Sequence, residues 1–186
     1  HKLMGTPRNK SEYLSETAKT FVYEKGAEIL TGIRPEIYGR ALEWGKEHER
    51  QAYEAFDPFN TLATYYGGET FVFVEYGDFG GYSPDALGDD FIVEFKCPFN
   101  SGIHLRNFSI KTNEDLKSLH PDYYWQVQMG MIATACENAF FVSYDPRFVD
   151  SHRTHIVQIT LDDVKDLIDE KLYYAGHLLQ SVIELS

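Results

Sequence analysis

The residues with the most chemistry to offer are Asp85, in Ser83-Pro84-Asp85, and Glu94 and Lys96, in Glu94-Phe95-Lys96. If Asp89-Asp90 closes a two-residue turn, Asp85 lies directly opposite Glu94 on the neighbouring strand. Opposed side chains share a face, with Cβ atoms about 5 Å apart, and period-two alternation brings Lys96 to that face as well. Two carboxylates and a lysine converging at a strand end make a seat for a hard cation, and oxygen donors suit Mg²⁺. A metal held there lowers the pKa of bound water and neutralises charge building on a phosphate. Lys96 is protonated at neutral pH unless perturbed, so its role is electrostatic rather than that of a general base. The bare D-x8-E-x-K spacing also describes a solvated strand face next to a turn, so other residues must add weight.

Glu49 adds some. It follows Gly45 by one helical turn, and a mid-helix glycine costs roughly 1 kcal/mol relative to alanine, which points to a close approach. Tyr123, Gln126 and Gly130 share one helix face by i, i+3, i+7 spacing. A glutamine beside a glycine gap can hydrogen-bond a phosphate or a metal-bound water. Gln128 lies on the same helix. Taken singly, Glu49 also reads as exposed helix surface beside a packing glycine, and the glutamines as ordinary polar surface.

The elements that must carry these residues follow from pattern. A first helix, capped by Ser11, is predicted from about Glu12 to Leu30 on Leu14, Ala18, Phe21, Val22 and Ile29, with Gly32 at its stop. A second runs from about Glu36 to Phe56, with Ile37, Ala41, Trp44, His48, Ala52 and Phe56 as its stripe. Thr70 to Tyr76 reads as a strand buried on both faces. Short strands follow at Gly81 to Leu87 and Phe91 to Lys96, joined at Gly88-Asp89-Asp90. Residues 97–121 read as mostly irregular. A helix from Asp122 to Cys136, strands at Ala139–Tyr144 and Thr154–Thr160, and a last helix complete the order. Thr160 and Asp163 resemble a capping box for that helix, and its stripe is Val164, Leu167, Ile168, Leu172, Ala175, Leu179 and Val182. The order predicts an α/β fold with a central mixed sheet flanked by helices.

At 186 residues the chain fits one domain. No run of ~18 apolar residues implies a membrane span, and no basic-then-apolar leader pattern is present. Two cysteines, Cys97 and Cys136, suit a reducing compartment. They cannot hold an iron–sulfur cluster. The seven histidines lack zinc spacing with them. Cys97 reads as a packed thiol rather than a nucleophile. Gly67-Gly68 and Gly80-Gly81 read as turn glycines without the context of a phosphate loop. The net charge of -12 counts against nucleic acid binding, unless bound cations and a local basic channel offset it.

Several stretches together carry a resemblance. They are Thr31-Gly32-Ile33-Arg34-Pro35-Glu36, Ala41 to Glu49, Ser83-Pro84-Asp85, Glu94 to Ser101, Gln126-Val127-Gln128 and Tyr144-Asp145-Pro146-Arg147. In chain order over roughly residues 1–160, they resemble the lambda-exonuclease type, the YqaJ-like branch of the PD-(D/E)xK nucleases. The resemblance implies a restriction-endonuclease-like core forming a single exonuclease domain over 1–186. It implies metal ligation by Asp85, Glu94 and the Phe95 carbonyl, with Glu49 completing a second site. Lys96 would position the attacking water, with Gln126 supporting it and Tyr123 close by. Leu42 would wedge at the DNA end and Arg8 reach the minor groove, each also readable as core leucine or solvated arginine. Ser101, Tyr123 and Gln128 are further DNA-contact candidates. Implied cofactors are two Mg²⁺ per site, with Mn²⁺ able to substitute. Implied partners are duplex DNA ends, a homotrimeric ring and a phage-type single-strand annealing protein, with no membrane, inside a bacterial host cell.

The implied activity is 5′-to-3′ digestion of one strand of linear duplex, leaving 3′ overhangs. The alternatives are a sequence-specific endonuclease on the same core and a catalytically silent DNA-end-binding scaffold. Two departures stand out. The match starts downstream of the family's N-terminal segment, which carries an Arg and a Ser that grip the 5′ phosphate. Gly102 stands where the family has an arginine.

Overall fold

The computed structural model describes residues 1–36, 38–57, 59, 61–68 and 70–184. The chain divides into two units. The larger comprises residues 38–74 and 81–161; the smaller comprises His1–Ile37, Glu75–Gly80 and Asp162–Ser186.

The larger unit is a five-stranded mixed sheet flanked by helices. Its strands are β1 (Thr64–Tyr65), β4 (Ala86–Leu87), β5 (Phe91–Lys96), β6 (Asn138–Tyr144) and β7 (Thr154–Thr160), in spatial order β1-β4-β5-β6-β7. All neighbours are antiparallel except β5 and β6. A parallel pair needs a crossover; here it is made by α3 (Ser101–Asn107), α4 (Asn113–Leu119) and α5 (Pro121–Thr134). Strand alternation sorts β5 onto two faces. Val93 and Phe95 join Ala52 and Tyr53 of α2 (Arg40–Phe56) in one core. Ile92 faces the other way, into a core with Tyr124, Val127 and Met131 of α5. The continuation of that second face is Glu94 and Lys96.

The pairing of Ala86 with Val93 and Leu87 with Ile92, closed by the Gly88 N–H on the Phe91 carbonyl at 2.9 Å, leaves Asp89-Asp90 as the loop. This is the register expected from the sequence.

In the smaller unit, α1 (Glu16–Thr31) packs on α7 (Lys165–Glu184). Leu14, Ala18 and Val22 bury against Ala175. A Cβ at Gly26 would lie 2.8 Å from Val182 Cγ1, so glycine lets the two helices approach. Lys171 Nζ donates to the Tyr13 carbonyl at 2.5 Å, and the Tyr13 ring stacks on Tyr174 with centroids 3.7 Å apart. A short hairpin of β2 (Val74–Tyr76) and β3 (Gly80–Tyr82) forms a separate two-stranded sheet.

Several expectations need correction. Helix α1 starts at Glu16, because the Ser15 hydroxyl accepts from the Ala18 N–H, whereas Ser11 is tied to Asn9 Oδ1 in the turn before. Its Ile29 is exposed rather than part of the stripe. Helix α2 starts at Arg40, because Gly39 sits at φ +154, outside helical geometry. Ile37 lies outside the described residues.

Thr70 to Tyr76 is not a doubly buried strand. Only its last three residues pair, and Phe71 and Phe73 are 67% and 54% exposed. Gly81 is a strand glycine under the Phe73 ring, not a turn residue. The stretch read as irregular holds α3 and α4. The Asn100 side chain caps α3, and Thr112 with Asp115 forms the capping box of α4. Thr160 and Asp163 do not cap α7, which begins at Lys165, with the Ile168 N–H on the Val164 carbonyl. A four-residue helix, α6 (Asp150–Arg153), precedes β7.

Candidate active site

Glu94 is the hub. Its carboxylate is buried, at 1% exposure. Oε1 accepts from Lys96 Nζ and, at 2.6 Å, from Gln126 Nε2. Oε2 accepts from the Tyr82 hydroxyl at 2.9 Å. Asp85 lies one residue beyond the β4–β5 ladder, and its Oδ2 accepts from the Phe95 backbone N–H at 2.7 Å. Lys96 Nζ stands over the Tyr123 ring, 4.9 Å from its centre. The structure therefore brings Asp85, Glu94, Lys96, Gln126 and Tyr123 together.

The electrostatics follow from burial and from surplus negative charge. Burial, then the neighbouring Glu94 carboxylate, push Asp85 well above the ordinary carboxylate range, against a partial offset from Lys96. For Lys96, burial favours the neutral amine. The Glu94 and Asp85 carboxylates outweigh it and raise the ammonium above its ordinary value. The two carboxylates thus hold Lys96 as a cation. Burial, followed by Glu49 and Asp85, pushes the Cys97 thiol up to about 12, which leaves it inert. The Tyr82 phenol is raised well above its usual value by burial and by the Glu94 and Asp85 carboxylates, so it remains a donor.

Beside this cluster opens a cavity of about 600 Å³, walled by Leu42, Gly45, Glu49, Phe95, Lys96 and Tyr123 among others. Asp85, Glu94 and Gln126 are not on its wall and meet it through Phe95 and Lys96. A Cβ at Gly45 would meet nothing within 4 Å, so the space beside this glycine is open. Glu49 is on the wall, but its Oε1 accepts from the Tyr65 hydroxyl at 2.9 Å.

The rim is braced by Arg147. Its guanidinium bonds the buried Asp145 carboxylate and the carbonyls of Pro98 and Phe99, and lies 4.3 Å from the Trp44 ring. A buried polar chain runs behind β6. Asn107 Nδ2 donates to Ser143 Oγ at 2.9 Å, and His104 and His120 bond Ser143 and Asn107.

Other expected residues fall elsewhere. Leu42 is 42% exposed on the cavity wall. Ser101 opens α3, and its hydroxyl is engaged by Asp145. Arg8 is exposed in the smaller unit. Gln128 is a correction: it is fully buried and donates to the Thr160 carbonyl at 2.9 Å, so its side chain does not present to DNA. The gap at Gly130 is also filled, by the Tyr82 ring and Ile92 rather than by a phosphate. Sequence reasoning missed Tyr82, Tyr65 and Arg147 as parts of the site. The mid-helix glycine at 130 was the one signal that something must pass close to α5.

Among the described residues, no three or more His, Cys, Asp or Glu side chains gather into a metal-holding group. The donor set of Asp85, Glu94 and the Phe95 carbonyl still fits one hard cation. It offers only oxygens; burial first, and then the Glu94 and Glu49 carboxylates, raise Asp85, and that carboxylate charge is what a divalent ion relieves.

The class that fold and neighbours define is a nuclease with a mixed sheet flanked by helices. The chain belongs to the YqaJ-like viral recombinase domain family, whose model matches residues 2–137. It is similar to an alkaline exonuclease, LHK-Exo, from Laribacter hongkongensis. The TM-score is 0.73 at 23% identity, covering 98% of this chain and 87% of that one. The complex of LHK-Exo with dAMP matches at TM-score 0.72 and 25% identity, covering 92% and 84%. A phage-related exonuclease from Haemophilus somnus 129PT matches at TM-score 0.79 and 21% identity, covering 100% and 93%. No curated protein matches the chain by sequence. No described helix is long and apolar enough to cross a membrane.

Proposed function

We propose that this chain is a divalent-metal-dependent exodeoxyribonuclease. It digests one strand of linear duplex DNA from the 5′ end and leaves 3′ overhangs for recombination by strand annealing. The observation that carries the reading is the Glu94 carboxylate. It is bonded at once to Lys96, Gln126 and Tyr82, and Lys96, together with Phe95, whose backbone N–H bonds Asp85, lines an open cavity. The likeness to an exonuclease solved with dAMP adds support, since a deoxymononucleotide is what such an enzyme releases.

Asp85, Glu94 and the Phe95 carbonyl would hold one Mg²⁺ or Mn²⁺, and Glu49 on the cavity wall would serve a second. When bound, the ions supply an activated water and neutralise charge on the phosphate. Lys96, protonated and seated on Tyr123, orients the nucleophile and stabilises the negative charge of the phosphorane-like transition state. Gln126 holds Glu94 Oε1 in place. Leu42 meets the terminal base pairs, Arg8 the minor groove, and Ser101 and Tyr123 the strand being cut. Both units serve this one activity, in a ring of three copies around the duplex, within a phage-infected or lysogenic bacterial cell, alongside an annealing protein.

The test is digestion of end-labelled linear duplex and closed circular duplex, with and without Mg²⁺. Mg²⁺-dependent loss of linear DNA only, abolished by Lys96→Ala with end binding retained, is expected. Cutting of closed circles would point to an endonuclease instead, and activity in EDTA would remove the metal from the reading. Sedimentation tests the trimer.

A further inference from the structure

The Tyr82 hydroxyl takes no role in the reaction itself, yet it is bonded to the central carboxylate. The residue is 4% exposed, and its ring belongs to the core between the sheet and α5. A phenylalanine would fill the same volume without a buried hydroxyl to satisfy, so packing alone does not call for tyrosine here. An O–H on an ionised carboxylate is among the stronger hydrogen bonds a core can hold.

Counting lone pairs shows what the bond does. A carboxylate offers about four acceptor positions. On Glu94, Oε1 takes Lys96 and Gln126, and Oε2 takes Tyr82. One position is left, on the oxygen that Tyr82 holds.

The ring reaches that oxygen through a gap in α5. A Cβ at Gly130 would lie 2.7 Å from Tyr82 Cζ, the atom that bears the hydroxyl, 2.8 Å from Cε1, and 2.7 Å from Ile92 Cδ1. A methyl group there would push the hydroxyl off Glu94 or force α5 away from the sheet. This accounts for a glycine in the middle of a 14-residue helix, where it costs roughly 1 kcal/mol relative to alanine.

We infer that Tyr82 is a positioning residue for Glu94, admitted by Gly130, and that its hydroxyl fixes which lone pair of Oε2 is offered to a divalent cation. The inference rests on the nuclease reading of this site. Tyr82 touches neither DNA nor the reacting phosphate; it acts through Glu94.

The experiment titrates Mn²⁺ into the DNA-free full chain by calorimetry, for wild type, Tyr82→Phe, Gly130→Ala and Tyr124→Phe. Tyr124 is a buried tyrosine of the same core, and the side-chain donors on Glu94 are Lys96, Gln126 and Tyr82, so its variant controls for general core damage. Melting curves confirm folding of each. Tyr82→Phe is expected to bind Mn²⁺ about 10–100-fold more weakly. Its turnover should fall at low Mn²⁺ and recover at high Mn²⁺, with the KM for DNA ends unchanged. Gly130→Ala should shift affinity in the same direction although it keeps the hydroxyl, and Tyr124→Phe should not. Wild-type affinity in folded Tyr82→Phe overturns the assignment, as does an equal loss in Tyr124→Phe. Should Tyr82→Phe fail to fold, Tyr82→Trp and Tyr82→Leu, which also lack the hydroxyl, decide by the same criterion. If wild type itself binds no Mn²⁺, the metal-dependent reading of the site falls first, an outcome distinct from a wild type that binds and a variant that binds equally.

Discussion

The ammonium of Lys96 stands 4.9 Å from the centre of the Tyr123 ring while bonded to the Glu94 carboxylate. One lysine is thus held from two sides, by a carboxylate on its own strand and by the face of an aromatic ring on α5. A cation over an aromatic face gains about 0.5–2 kcal/mol. If that contact orients Lys96 in the transition state, Tyr123→Ala lowers kcat by about 2–30-fold, and Tyr123→Phe, which keeps the face, stays near wild type. Single-turnover digestion of end-labelled duplex measures both. A Tyr123→Phe as slow as Tyr123→Ala would assign the role to the hydroxyl instead.

Gln128 separates packing from recognition. Its amide is fully buried and bonded to the Thr160 carbonyl, which also accepts from Asn113. Gln128→Ala opens a cavity and removes a hydrogen bond, so it is expected to cost about 2–4 kcal/mol of stability. DNA-end affinity of the folded variant should be unchanged. Denaturant melts and a gel-shift titration check this; weaker end binding in a fully folded variant would return Gln128 to the interface.

Stability should fall on mild acidification. Burial holds His155 below its ordinary pKa, with Lys111 and His104 adding to the effect against a hydrogen bond to the Ile110 carbonyl. Burial likewise lowers His120. A histidine with a depressed folded pKa contributes stability that is fully present above the unfolded value of about 6.5. That contribution is lost as pH falls from there through the folded value. Melting temperature should therefore decline below about pH 6.5, and His155→Gln should flatten part of the decline. A wild-type curve level from pH 8 to about 5 contradicts the burial of these rings as the cause.

Arg147 governs a second pH effect, which sets in at lower pH. Burial alone would raise Asp145, but hydrogen bonds from the Arg147 side chain and backbone and from Ser101 outweigh it and lower it. Its stabilising contribution is present above the ordinary carboxylate pKa of about 3.9 and is lost as pH falls through the lower folded value. Arg147→Ala leaves Asp145 buried with fewer donors. Because Arg147 is 40% exposed, the discounted cost is about 1–3 kcal/mol. The loss should be largest at neutral pH and shrink toward pH 4 or below, where protonation relieves the carboxylate. Thermal melts across that range test the trend.

The linear order of residues settled the hairpin. Asp89-Asp90 between two short apolar runs places Asp85 opposite Glu94, and alternation alone puts Lys96 on the face of Glu94. Those are local rules, acting over a dozen residues, and they need no knowledge of what packs on the sheet. How α5 docks was not local. Gln126 and Gln128 look alike in sequence, but the rotation of the helix against the sheet turns one to Glu94 and buries the other against Thr160. The same docking brings Gly130 over Tyr82 and so admits a hydroxyl from 12 residues before Glu94. Glu49 shows the third case: its helix is legible, but its partner Tyr65 comes from another element, and only the folded chain pairs them. Register comes from bonding geometry along the chain, whereas the choice among equivalent faces comes from burying the most apolar surface between elements distant in sequence.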